Sequence, residues 1–120
     1  FLLEQARNII KERFKQDWHH VGAALRTCSG KTFAAVHLEA NVGRIAVCAE
    51  AVAIGMAAAE GDTDIETIVA VNRHGDVVAP CGMCRELISD YSPEALVILP
   101  SDQGESSVAI ATLLPNKYVR

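Results

Sequence analysis

Apolar residues recur at three- and four-residue intervals from the start of the chain, at Leu2, Leu3, Ala6, Ile9, Ile10 and Phe14. That period predicts a helix over residues 2–14 with one face packed on an apolar surface, and Asp17 to His20 end it. Residues 21–26 and 32–38 are short apolar runs separated by Cys28-Ser29-Gly30-Lys31, whose Ser-Gly suits a tight turn, so they are predicted as an antiparallel hairpin. Residues 45–60 are rich in Ala, with Val47, Ala51, Ile54 and Ala58 on one face and Gly61-Asp62 as a stop, the pattern of a buried helix. Residues 65–71 read as a strand, 72–76 as a turn, and 81–91 as a helix between Pro80 and Pro93. Residues 95–99 form a further strand and 107–110 a short one, and Leu113-Leu114-Pro115 end a brief terminal helical turn.

About five strands and three helices therefore alternate, with no repeat, low-complexity tract or linker to divide them. Strands joined through helices on so small a sheet predict an α/β fold: a three-layer α-β-α sandwich around a five-stranded mixed sheet, with residues 1–120 as one domain.

Composition narrows the function classes. Half of the 120 residues are apolar and 5% are aromatic, enough for one core built mainly from aliphatic side chains. No run approaches the roughly 20 apolar residues of a membrane-spanning helix, and charges interrupt the opening FLLEQARNIIKERF. The expectation is a soluble, cytoplasmic protein without a membrane partner. A formal charge of −4, with 11 scattered basic residues, offers no footprint for nucleic acid. Four cysteines are too few for a disulfide-dense scaffold, and two of them form a C-x-x-C, which points to metal or redox chemistry.

Cys81 and Cys84 lie three apart in the first turn of a predicted helix, so both sulfurs face the same way and the free backbone N–H groups there favour thiolate over thiol. The pair alone also fits a thioredoxin-like redox couple or half of a structural zinc knuckle, and on that pair both stand ahead of a catalytic zinc. Cys48, placed near another helix start, would make a third thiolate and leave the fourth tetrahedral position of a zinc ion open for water, as in catalytic sites. A structural site needs a fourth protein ligand, and Cys28, His19, His20, His37 and His74 all lack the close spacing of a knuckle. Zinc lowers the pKa of bound water from about 15.7 to near 7, and a free carboxylate two residues from a ligand, Glu50, could then move the protons of a hydrolysis.

Cys48-Ala49-Glu50 followed by Pro80-Cys81-Gly82-Met83-Cys84 matches the C-x-E and P-C-x-x-C signature of zinc deaminases. The chain resembles the small homotetrameric cytidine deaminases and the related blasticidin S deaminases. Val21 to Leu25 look like that family's first strand and Leu113-Leu114-Pro115 like its C-terminal motif. The resemblance implies a cytidine deaminase-like fold, one Zn2+ per chain on Cys48, Cys81 and Cys84, and Glu50 as the proton carrier. It implies deamination of cytidine, deoxycytidine or a related cytosine nucleoside to the uracil form with release of ammonia, a place in pyrimidine salvage, and a homotetramer. The Ala-rich helix end at residues 55–60 suits a subunit interface.

Carried over position by position, the family's sugar-binding Asn-x-Glu falls on His37 and Glu39: the Glu is kept and the Asn is not. A pocket-lining Phe falls on His19, which makes the predicted pocket more polar. Ala49 and Ala79 are further implied substrate contacts, and Tyr118 matches an aromatic that covers a neighbouring subunit's site. The Arg that often follows Cys-Ala-Glu is Ala51 here, so Arg85, or Arg44 folded back, is expected to offset the thiolate charge. Two alternatives to the cytidine reading remain: a specialised deaminase of the blasticidin S type, and a noncatalytic domain that zinc merely staples.

Overall fold

The computed structural model describes all 120 residues. Helix α1 (Leu2–Arg13) follows the predicted stripe, burying Leu2, Leu3, Ala6 and Ile10. These side chains meet Ala24, Val69 and Val71 on one face of a mixed sheet. Contact is closest at Gly22, where an added Cβ would stand 2.7 Å from the Ala6 carbonyl oxygen and 2.9 Å from Ile10 Cβ.

The sheet runs β2-β1-β5-β7-β8, with β1 (Gly22–Thr27), β2 (Thr32–Val36), β5 (Ile65–Val71), β7 (Leu96–Ser101) and β8 (Gly104–Ala109). β5 pairs antiparallel with β1 and parallel with β7, and the outer pairs are antiparallel. Because β1 and β5 are covered on both faces, they read as continuous apolar runs rather than alternating ones. Ala24 and Val69 look towards α1, whereas Leu25 and Ile68 look the other way, into a core with Ala53, Ile54, Ala57 and Ile88. Ala53, Ile54 and Ala57 belong to α2 (Ala49–Ala59) and Ile88 to α3 (Gly82–Tyr91), so helices close both faces and the three-layer α-β-α sandwich is present.

The structure corrects several boundaries. β6 (Val77–Val78) adds a sixth strand beside β5, pairing Ala70 with Val78 and Val71 with Val77. The helix predicted from residue 45 begins only at Ala49: Gly43 and Arg44 take positive φ, and Ala46–Val47 become β4, paired with β3 (Leu38–Glu39). The last strand is longer and earlier than residues 107–110, since β7 and β8 form a hairpin turning at Gly104. The terminal helical turn is a 3-10 turn at Ile110–Leu113.

Two of these corrections, β6 and the later start of α2, fall around the carboxyl end of β5. β6 carries the chain back to Ala79, Pro80 and Cys81, at the start of α3. Ala49, at the start of α2, packs there between Ala23 and Ala70. Two helix N-termini thus converge beside the carboxyl end of a central strand, a common place for a site in open α/β sheets.

Candidate active site

Cys48 and Cys81 are the N-cap residues of α2 and α3, both in extended conformation. Their Sγ atoms lie 3.2 Å apart, and the sulfurs of Cys48, Cys81 and Cys84 all fall within 4.8 Å of one another. Zn–S bonds of about 2.3 Å in a tetrahedron give sulfur–sulfur edges of about 3.8 Å, inside the observed spread. No fourth His, Cys, Asp or Glu joins the set. The chemistry of this donor set fits zinc held by Cys48, Cys81 and Cys84, with a coordination position left for a small ligand.

Electrostatics separate the three thiols. Burial pushes the Cys81 thiol up, but backbone N–H groups of Cys84 and Met83, with bonds to its two neighbouring cysteines, more than offset it, so the net shift is downward. Burial lifts Cys48, and the bond it shares with Cys81 adds to the rise. Cys84 is fully buried, and burial together with the Glu50 charge and its sister sulfurs lifts it strongly. Three such groups concentrated without a cation repel one another, and a divalent ion relieves all of them together.

Glu50 sits in the first turn of α2, only 5% exposed. Burial raises its pKa, partly opposed by its own backbone N–H and the Cys84 thiol. Above it opens a cavity of about 210 Å³ lined by Val21, His37, Ala46, Val47, Cys48, Ala49, Glu50, Val78, Ala79 and Cys81. Drug-sized pockets span roughly 300–1,000 Å³, so this one suits a single small heterocycle whose substituents remain outside. Of the residues read from the sequence, the structure brings Cys48, Glu50, Cys81, Ala49, Ala79 and His37 to this cavity, with Cys84 completing the sulfur set.

Val21, Ala46, Val47 and Val78 line it without having been singled out. Ala46 and Val47 were hidden by the misplaced helix start, and Val78 by the shortness of β6.

The remaining residues lie elsewhere. Glu39 borders a separate polar groove of about 460 Å³ with Asp17, Trp18, Ala40, Asn41 and Arg44. The hydrogen bond from His37 holds its carboxyl below the usual range, aided by His20 and Arg44. Arg44 therefore stands in the groove with Glu39 instead of folding back on the sulfurs. Arg85 donates to the carbonyls of Pro80 at 2.8 Å and Leu113 at 3.4 Å, so it braces the loop before Cys81 from behind. His19 is outside the cavity lining: its Nδ1–H donates to the His37 carbonyl at 2.8 Å. Tyr118 is 79% exposed on the C-terminal tail, in a groove with Glu86, Asp90 and Lys117.

Comparison with known proteins agrees with this geometry. Residues 1–99 match the model of the cytidine and deoxycytidylate deaminase zinc-binding region. The chain is 46% identical over 127 residues to a blasticidin-S deaminase of Bacillus cereus, covering 99% of this chain and 91% of that one. It is 31% identical to a cytidine deaminase of Halalkalibacterium halodurans, covering 82% and 76%. The crystal structure of a cytidine deaminase from Burkholderia pseudomallei superimposes with a TM-score of 0.80 at 30% identity, covering 98% and 96%. The thiolate triad, the free buried carboxylate and these likenesses agree: the chain belongs to the cytidine and deoxycytidylate deaminase family and is a zinc-dependent hydrolase of the deaminase type.

Proposed function

We propose that this protein deaminates a cytosine nucleoside, with blasticidin S favoured over cytidine or deoxycytidine as substrate. The observation that carries the reaction is Glu50: a buried carboxylate outside the sulfur set, lining a small cavity beside it. The preference rests on 46% identity over nearly the whole chain to a protein named blasticidin-S deaminase, against 31% to a cytidine deaminase. The absence of the Asn at position 37, where His stands, supports it further.

Bound zinc supplies Lewis acidity, lowering the pKa of coordinated water towards neutrality. The apolar walls formed by Val21, Val47, Val78 and Ala79 pack against the ring and hold it against Glu50. Glu50 takes the proton of the attacking water and delivers it to a ring nitrogen. As the carbon–oxygen bond replaces the carbon–nitrogen bond, Glu50 relays the proton of the newly attached hydroxyl to the amino group, which departs as ammonia and leaves the uracil form. Ala49 and Ala79, lacking bulk, let the ring lie close to the metal segments.

The reading includes a homotetramer. Supporting it are Gly55, Met56, Ala58 and Ala59, which leave the outer face of α2 exposed and apolar, and Met83 at the start of α3, 48% exposed. On this reading Tyr118 covers a neighbouring subunit's site, and the reaction belongs to nucleoside salvage or detoxification.

Ammonia release from a panel of blasticidin S, cytidine, deoxycytidine, cytosine and cytidine monophosphate tests the reading. The expected order places blasticidin S first, the two nucleosides next and the bare base last. Cytidine outrunning blasticidin S in kcat/KM overturns the preference, and a zinc-loaded enzyme inert on the entire panel overturns the substrate class.

A further inference from the structure

The hydrogen bonds of His37 leave its imidazole nothing to offer a substrate. Nδ1 accepts the backbone N–H of His20 at 2.7 Å and of Val21 at 3.2 Å. A nitrogen that accepts carries no proton, so the ring proton sits on Nε2, which donates to Glu39 Oε2 at 2.8 Å. The residue is held from its backbone as well: its N–H donates to the Val21 carbonyl at 3.0 Å and its carbonyl accepts from His19 Nδ1–H at 2.8 Å. The His20 ring stands edge-on to the imidazole, with centroids 5.5 Å apart. Only 12% of the His37 side chain is exposed, against 38% of Glu39.

We propose that His37 is a positioning residue, a locked Nε2–H imidazole in the cavity wall that aims the Glu39 carboxylate at whatever the base carries. This rests on the reading of the cavity as a cytosine site. An Asn at this position can offer an amide to the substrate, whereas His37, with both nitrogens spent, leaves recognition outside the cavity to Glu39. A carboxylate has about four lone-pair sites, and the imidazole takes one. Glu39 itself lines a groove with Asp17, Asn41 and Arg44. Fixing a flexible carboxylate before binding removes part of the ordering cost that the substrate would otherwise meet.

Two substitutions separate the bonds of the ring. His37→Asn places an oxygen near the position of Nδ1 and keeps the backbone bonds but does not reach Glu39. His37→Gln places an amide N–H near the position of Nε2 and keeps the bond to Glu39. With the zinc-loaded enzyme and its best nucleoside, H37N is expected to raise KM about ten- to a hundredfold with kcat little changed, the loss of one charge-assisted bond. H37Q is expected to restore most of that KM. In a double-mutant cycle with Glu39→Ala, H37N should add nothing to the effect of E39A. Additive effects, as direct contact between His37 and substrate would give, overturn the proposal.

Nitrogen-15 NMR of the zinc-loaded, substrate-free enzyme gives a readout independent of turnover. The expected spectrum shows His37 protonated at Nε2 alone, with that resonance shifted by E39A. A proton on Nδ1, or a resonance indifferent to E39A, overturns the proposal. Failure of the substrate panel alone bears on the function and leaves this result to decide the role of His37.

Discussion

The sulfurs of Cys48 and Cys81 stand 3.2 Å apart although 33 residues separate them in sequence. Each caps a different helix, so the site exists only when α2 and α3 are both docked on the same face of the sheet. Metal binding therefore reports on tertiary structure and stabilises it. Chelating the zinc should lower the melting temperature, and free zinc at 100 times its dissociation constant should return about 2.7 kcal/mol. Cys81→Ser should bind less than one zinc per chain by elemental analysis. Unchanged melting on chelation would place the ion elsewhere.

Glu50 lies outside the sulfur set, so its substitution separates catalysis from metal binding. Glu50→Gln keeps the shape and removes the exchangeable proton. The variant should retain one zinc per chain and a native circular-dichroism spectrum while kcat falls about a hundred- to ten-thousandfold, the usual span for a lost general acid–base group. Loss of zinc in E50Q would make Glu50 a ligand, and full activity would remove it from the reaction.

How far the sequence could be read depended on how long each pattern ran. α1 was legible because Leu2, Leu3, Ala6 and Ile10 repeat over three turns, and β5 because residues 68–71 form an unbroken apolar run buried on both faces. The sulfur set and Glu50 were legible from spacing, since C-x-E and P-C-x-x-C restrict the chemistry wherever the strands run. β3, β4 and β6 have two residues each, too short to show a period of two. Ile45 and Val47 happen to continue the helical stripe of α2, so only the positive φ at Gly43 and Arg44 shows where the chain turns. His19 was expected in the pocket only because the family's pocket-lining Phe falls on it, and the bond that holds it instead, to the His37 carbonyl 18 residues away, has no signature in a side-chain pattern.

Gly22 is buried at the start of β1, where α1 crosses it. A methyl group there would meet the Ala6 carbonyl at 2.7 Å and Ile10 Cβ at 2.9 Å, both held rigidly by the helix. Gly22→Ala should therefore force α1 off the sheet and cost about 1–3 kcal/mol in urea denaturation. Stability equal to the parent protein would mean that α1 can slide without penalty.

Ser92 is buried after α3 and links two elements. Its Oγ accepts the N–H of Ile65 at 2.7 Å and donates to the Thr63 carbonyl at 2.7 Å. Ser92→Ala leaves the first N–H of β5 without a partner, a loss of about 1–3 kcal/mol. The cavity lining is untouched, so kcat should hold while the urea midpoint falls. A fall in kcat with no change in midpoint would contradict this division.

Asp62 supplies an acid-sensitive bond at the far end of the sheet. Its Oδ2 accepts the Ser29 and Thr27 hydroxyls, each at 2.7 Å, and these bonds, with the nearby Lys31 charge, hold its carboxyl below the usual aspartate value. The folded protein thus releases this proton more readily than the unfolded chain does. The resulting stability is fully present above the unfolded value of about 3.9 and is lost as pH falls through the lower, folded one. Asp62→Asn removes the titrating group, although its amide oxygen can still accept from Thr27. Between pH 5 and 2 the urea midpoint of D62N should fall less steeply than that of the parent protein, the two curves converging at the acid end. Parallel curves across that interval would show that Asp62 has the same proton affinity in the folded and unfolded chains.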